Sequence, residues 1–331
     1  MTEMTFADAV REGLAEEMRR DPLVWALGED LSTGHGGTSG PQYKDLIEEF
    51  GARRIVNTPI SENTIMGAAV GAAVAGTRPV ADLRMADFGM CAVDELVNQA
   101  AKIRYMFGGQ ARVPLVVRQA IGMRKGGAAQ HTQSTEAWYV HTPGLVVVTP
   151  ATPADGKGLL KAAIRCDDPV VFMEHKDLWA ATGDVAEGEA ALVPIGKANV
   201  LCEGSDLTIV SWSKMALLSK GVAETLAKEG ISVEVIDLRT LWPWDQACVY
   251  ASVRKTRRLL VAHESVQVGG FGAEIAADVA EQCDDVLAGP VRRIGARRMP
   301  APYAETMENE YRVTPERIAA CAREIMAAKA R

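Results

Sequence analysis

The stretch TPISENTIMGAAVGAAVAGTRPVADL, residues 58–83, decides the fold. Pro59 breaks an extended segment over 54–57, and Ser61 or Glu62 opens a helix that runs to Gly76. Gly67, Gly71 and Ala75 recur every fourth residue, so they share one helical face. Small side chains there let another backbone approach closely, which predicts a fully buried helix, in a core or between subunits. Pro79 to Leu83 then starts a strand. A helix that feeds directly into an apolar strand is one step of an α/β series.

The same alternation extends in both directions. Upstream, Phe6, Val10, Leu14 and Met18 mark one face of a helix over 6–20, with Thr5 as N-cap and Asp8 in its first turn. A strand over 24–27 and a glycine loop over 34–40 follow. Downstream, a helix is expected over 92–106. Strands are expected at 115–117, 145–148 and 170–173, with a helix over 154–164. Residues 176–204 carry no sustained period. A second series places strands at 207–211, 233–236, 259–262 and 291–294, with helices near 214–229, 245–255 and 271–283. Short apolar runs bounded by Gly or Pro suit buried parallel strands. The expected fold class is α/β: two three-layer α/β/α domains with largely parallel sheets. The division is 1–185, a connector at 186–203, and 204–331.

Composition narrows the function. At 331 residues the chain is long enough for two domains without a disulfide or zinc staple. The net charge of −7 argues against nucleic acid as a partner. No run of 18 apolar residues occurs, which argues against a membrane span. Asp8, Glu12, Glu16 and Glu17 near the N-terminus are foreign to signal and transit peptides. The six cysteines are scattered, with no C-x-x-C, which predicts a reduced, cytoplasmic setting.

Compact motifs are missing. There is no G-x-G-x-x-G between a strand and a helix, no P-loop, no H-E-x-x-H and no G-x-S-x-G. The glycines at 269, 270 and 272 open a helix, and tight strand–helix packing accounts for them. Three dispersed residues merit weighing. Glu62 either complements a helix dipole or is a buried carboxylate of raised pKa suited to proton exchange. His131 is either a solvated loop residue or a catalytic group at a strand end. Phe88 in isolation is a core residue.

An ordered set of segments gives these residues a context. LGED (27–30), TPISE (58–62), GAAVGAAVAGTRPV (67–80), ADF (86–88), NQAAKIRYMFGG (98–109) and GGAAQHTQSTEAW (126–138) cover the first part. HTPGLVVV (141–148), KGLLKAAIRCDDPVVF (157–172), VIDLRTLWPWD (235–245) and GGFGAEIA (269–276) continue it. In this order they resemble the β subunit of the thiamine-diphosphate-dependent decarboxylating component of 2-oxo acid dehydrogenase complexes, a member of the transketolase superfamily. YMFGG, AAQH and EHK (174–176) look closest to the pyruvate and acetoin-cleaving branches.

The resemblance implies a transketolase-like pyrimidine-binding domain followed by a transketolase C-terminal-like domain. It implies that Glu62 exchanges a proton with a ring nitrogen of the cofactor's aminopyrimidine. It implies that Phe88 stacks on that ring and that Ile60 packs beside it. His131 would act on the substrate oxygen and assist acyl transfer to lipoamide. The main-chain carbonyls of Leu115, Ala163, Cys166 and Asp168 align with a structural potassium site.

The diphosphate–magnesium signature, which begins Gly-Asp-Gly, does not occur in this sequence. An α subunit is therefore expected to hold the diphosphate and Mg²⁺, in an α2β2 heterotetramer with a β–β contact and a shared active site. A lipoyl acyltransferase core is a further expected partner. Asp82 stands where many relatives have Glu, and His35 lies in a short glycine loop, which leaves the substrate open between a 2-oxo acid and acetoin. Two alternatives stand beside this reading. One is a split transketolase-like subunit acting on sugar phosphates, with Arg124 and Lys125 as phosphate contacts. The other is a mainly scaffolding subunit.

Overall fold

A computed structural model describes residues 1–31 and 40–328. The glycine loop over 34–40, with His35, therefore lies almost wholly outside the described residues. The chain divides into two compact units. One comprises Met1–Ile121 and Trp138–Ile195, the other Gly122–Ala137 and Gly196–Arg331.

The first unit is built in chain order from β1 (Thr2–Thr5), α1 (Phe6–Arg20), β2 (Val24–Glu29), α2 (Gly40–Tyr43), α3 (Leu46–Phe50) and β3 (Ile55–Thr58). It continues with α4 (Glu62–Val74), β4 (Arg78–Met85), α5 (Ala101–Met106) and β5 (Val116–Ile121). After the short helix α6 (Glu136–Val140) come β6 (Val146–Val148), α7 (Pro153–Arg165), β7 (Val170–His175) and β8 (Thr182–Val185). Its six long-range strands lie in the order β3-β2-β4-β5-β7-β6, all parallel. Both faces of such a sheet are covered, which is why β5 and β7 are buried along their whole length.

Caps fix the helix starts. Thr5 Oγ1 accepts the Asp8 N–H and Thr152 Oγ1 that of Asp155, each at 3.1 Å. Helices α1 and α7 pack on each other, and Gly13 is needed there: a Cβ would sit 3.2 Å from Lys157. Lys157 is fully buried in that contact, its Nζ 2.7 Å from Glu16.

The second unit continues with β9 (Asn199–Cys202), β10 (Leu207–Ser211), α8 (Ser213–Ala227), β11 (Val233–Asp237), β12 (Thr240–Trp242) and α9 (Gln246–Thr256). It ends with β13 (Leu259–Val266), α10 (Gly272–Gln282), β14 (Arg292–Ala296), α11 (Glu305–Tyr311) and α12 (Pro315–Ala327). Its sheet runs β14-β13-β10-β11-β9, parallel except for β9. Strand alternation creates the layers. Leu207 and Ile209 join Met215, Val222, Ile318 and Ala322 of α8 and α12 in one core. Thr208, between them in sequence, instead bonds Ser252 and Thr256 of α9 at 2.7 and 2.6 Å.

Four expectations need correction. The helix expected over 92–106 is a 3-10 turn (Phe88–Ala92), a π-helix (Asp94–Ala100) and then α5. The wider turn brings Gln99 Nε2 within 3.3 Å of Asp94 Oδ2, five residues back. The segment without period, 176–204, holds β8 and β9, and β8 pairs with β1. Two helices, α11 and α12, follow the last expected one. Finally, of the two settings expected for α4, full burial in this chain's own core is not found: Ile65, Met66, Ala69, Val70 and Ala73 are covered, while Gly67, Ala68, Gly71 and Val74 are open.

Candidate active site

In parallel sheets, functional groups collect beyond the carboxyl ends of the strands. Three such ends in the first unit carry acids. Glu29 closes β2, Glu62 opens α4 directly after β3, and Asp82 lies where β4 bulges before Met85. At the bulge Arg84 adopts φ +65°, and its N–H donates to Asp82 Oδ1 at 2.8 Å. Its guanidinium then lies 3.8 Å from Asp30.

These charges feel one another. Burial pushes the Glu29 carboxyl above its ordinary range. Arg84 opposes that, and the negative charges of Asp30, Glu62 and Asp82 add to it. Glu62 itself is half-buried rather than buried, and Ser61 makes no side-chain cap to α4.

Phe88 begins the 3-10 turn after β4, is half-buried, and lies in a segment packed against α4. Gly89 fixes that turn. A Cβ there would overlap Gln119 Nε2 and sit 2.8 Å from the Tyr139 hydroxyl, two groups bonded to each other at 3.0 Å. Ile60 is 71% exposed, so it packs on no core of this chain. The first unit thus holds Glu62, Phe88 and Ile60, all at or after the ends of β3 and β4.

His131 belongs to the second unit, exposed on the loop Gly122–Ala137. That loop is folded on itself. The Gly127 N–H donates to the Arg124 carbonyl at 2.9 Å, and Thr132 Oγ1 to the Ala128 carbonyl at 2.5 Å. Lys125 is paired with Glu305 at 2.9 Å. At the loop's end, Glu136 is buried and accepts from the Trp212 indole at 3.1 Å. Burial raises its carboxyl pKa, against the lowering effect of its hydrogen bonds.

The residues aligned with a potassium site lie in the first unit. The Leu115 carbonyl accepts from Val170 N at 2.8 Å, that of Ala163 from Cys166 N at 3.1 Å, and that of Cys166 from Arg78 Nη1 at 3.1 Å. The Asp168 side chain pairs with Arg104 at 2.5 Å. The carbonyls of Leu115, Ala163 and Cys166 thus each already accept one hydrogen bond, and each keeps a second lone pair.

Sequence reasoning missed a second charged cluster. A small cleft is lined by Gln42, Asp82, Arg84, Arg118, Glu174 and Trp179, among others. Arg118 and Glu174 are both buried and 2.7 Å apart, and the guanidinium lies 4.9 Å from the centre of the Tyr43 ring. Arg118 and Glu174 are 56 residues apart in sequence. Only the adjacency of β5 and β7 brings them together.

Comparison with known proteins gives the family. "Transketolase, pyrimidine binding domain" matches residues 2–181, and "Transketolase, C-terminal domain" matches 196–318. The chain is 40% identical to the 2-oxoisovalerate dehydrogenase subunit beta of Bacillus subtilis (strain 168), over 98% of this chain and 99% of that one. It is 44% identical to the mitochondrial pyruvate dehydrogenase E1 component subunit beta-2 of Oryza sativa subsp. japonica (92% and 82% covered). It is 43% identical to the acetoin:2,6-dichlorophenolindophenol oxidoreductase subunit beta of Cupriavidus necator (96% of each). These identities do not separate the branched-chain branch from the other two. A solved split-gene transketolase, described as an inactive beta4 tetramer, shares the fold with a TM-score of 0.80 at 23% identity, covering 98% and 99%. The chain belongs to the family of dehydrogenase β subunits built from transketolase pyrimidine-binding and C-terminal domains.

Proposed function

We propose that this chain is the β subunit of a thiamine-diphosphate-dependent 2-oxo acid or acetoin dehydrogenase, active with an α subunit. The observation that carries the reading is the near full-length likeness to β subunits of three such enzymes. The site fits the pyrimidine half of the cofactor. A half-buried carboxylate and a half-buried aromatic ring follow neighbouring parts of one sheet edge.

Bound thiamine diphosphate supplies the electron sink that lets a 2-oxo acid lose CO2. The residues of this chain prepare for it. The Glu62 carboxylate holds and exchanges a proton at a pyrimidine ring nitrogen. Phe88 offers a face for the ring, and the exposed Ile60 packs on the bound cofactor or the partner. The His131 imidazole donates a proton to the substrate oxygen and assists acyl transfer to lipoamide on an acyltransferase core. A potassium ion on the carbonyls of Leu115, Ala163, Cys166 and Asp168 would tie α7 to the start of β5. The diphosphate and its Mg²⁺ fall to the α subunit, and the open face of α4 to a subunit contact in an α2β2 assembly. The compartment is cytoplasmic in this reading, in keeping with six free cysteines. No helix among the described residues is long and apolar enough to cross a membrane.

Coexpression with the α chain, thiamine diphosphate and Mg²⁺, followed by a panel of pyruvate, 2-oxoisovalerate and acetoin, tests the proposal. Turnover of at least one is expected from the pair. Sugar-phosphate turnover in its place would sink it, and Lys125, offered for that role, is already paired with Glu305.

A further inference from the structure

We propose that Glu308, on α11, is a positioning residue for His131. Helix α11 is seven residues long, and its one buried residue is this glutamate, 1% exposed. A short helix normally docks through an apolar side chain, because burying a carboxylate costs free energy unless it is hydrogen-bonded. Here the bond is to the His131 loop. Glu308 Oε1 accepts the Gly126 N–H at 2.9 Å, across 182 residues of sequence, and Arg312 Nη2 steadies Oε2 at 3.5 Å. Losing this bond would release the exposed Gly126 backbone to other conformations.

Glu308 does not act alone. Glu264 Oε1 accepts the Met123 N–H at 3.3 Å, and the Trp212 indole holds Glu136 at the far end of the loop. His131 therefore sits between anchors at Met123 and Gly126 on one side and at Glu136 on the other, all three made within the second unit. Gly126 (φ +71°) and Ala128 (φ +54°) take left-handed conformations beside the Glu308 anchor. Glycine takes that conformation freely, but Ala128 has cheaper alternatives, so without the anchor His131 would leave its working position.

The inference rests on the role of His131 in turnover, and the test separates the two. Four forms of the coexpressed enzyme are compared with wild type: Glu308→Ala, Glu308→Gln, His131→Ala and the double variant His131→Ala/Glu308→Ala. Glu308→Ala should lower kcat about 10-fold or more, with KM changed less than about 2-fold. Glu308→Gln, whose carbonyl still accepts the Gly126 N–H, should recover most of that loss. Hydrogen exchange at Gly126 should speed up in Glu308→Ala and not in Glu308→Gln. In the His131→Ala background, Glu308→Ala should cost nothing more, because the two act through one group. Equal losses in both backgrounds, or an unchanged kcat in Glu308→Ala, overturn the positioning role while that of His131 stands. Full activity in His131→Ala overturns both. Should Glu308→Ala fail to assemble, Glu308→Asp, one methylene shorter, replaces it in every comparison.

Discussion

Glu62 differs from its neighbours in what it can reach. Glu29 and Asp82 are side chains of strands, and Asp82 is buried, whereas Glu62 starts a helix and is only half-buried. A group that passes a proton to a ligand needs both a charge and access. Glu62→Gln retains the shape and removes the proton exchange, so kcat of the coexpressed enzyme should fall at least about 100-fold while assembly is unchanged. Steady-state kinetics with size-exclusion chromatography checks this, and wild-type turnover would remove Glu62 from the mechanism. A second residue-scale effect concerns stability. Burial lowers His263, stacked on Trp212 with centroids 5.2 Å apart, to a pKa of about 4. The unfolded chain, with an ordinary histidine pKa near 6.5, takes up the proton first. Protonation therefore favours unfolding: the contribution is complete above about pH 6.5 and is lost as pH falls toward 4. The full shift corresponds to about 3 kcal/mol, of which about 2 is gone by pH 5. Urea unfolding at pH 5.0 and 7.5 should show this drop in the wild type and a smaller one in His263→Asn. An equal drop in both would assign the acid sensitivity elsewhere.

Helix α4 shows how far an element can be read from its sequence. The 67–76 repeat announced a helix with a small-residue face, and it is there. This chain's own core does not cover that face; periodicity reports a face and not what covers it. A Cβ on Gly71 would meet nothing within 4 Å, and one on Gly67 only Glu95 at 3.9 Å. Glycine inside a helix costs about 1 kcal/mol relative to alanine, so this chain's own packing gives no return for either. A close-packed partner backbone would explain both. Gly71→Leu should leave the circular dichroism of the isolated chain unchanged and shift the coexpressed complex to smaller species in light scattering. Wild-type assembly would exclude α4 from the interface. Elsewhere, legibility followed the length of the signal. The buried strands β5, β7, β10 and β13 stood out as apolar runs. Strands β1, β8 and β9 did not, being four-residue, partly exposed segments that gain order only from a neighbour. Helix α12 had readable signals, a Thr314 cap with Pro315 at its first turn, that periodicity alone passed over. The Arg118–Glu174 pair and the Glu308 anchor were beyond reach, since spacing carries no information about which strands and loops become neighbours.

Charge at the scale of the whole chain argues for a divided cofactor site. The net charge is −7, and the edge around Glu62 gathers several acids: Glu29 feels Asp30, Glu62 and Asp82, with Arg84 as the opposing charge. Arg84 already leans on Asp30. A diphosphate brought to such an edge would meet net repulsion, whereas a neutral or proton-sharing pyrimidine would not. In the proposed reading the two ends of thiamine diphosphate require opposite environments, and this chain would offer that of the pyrimidine end. The isolated chain should accordingly bind the cofactor weakly, with no dependence on Mg²⁺, and should turn over none of the three substrates. Addition of the α chain should tighten binding by at least about 100-fold, about 2.7 kcal/mol, and make it Mg²⁺-dependent. Isothermal titration of thiamine diphosphate into the chain and into the coexpressed complex, each with Mg²⁺ and with EDTA, reads both quantities. Tight, Mg²⁺-dependent binding by this chain alone would show that its acidic edge is offset by cationic groups of its own, and the divided site would have to be abandoned.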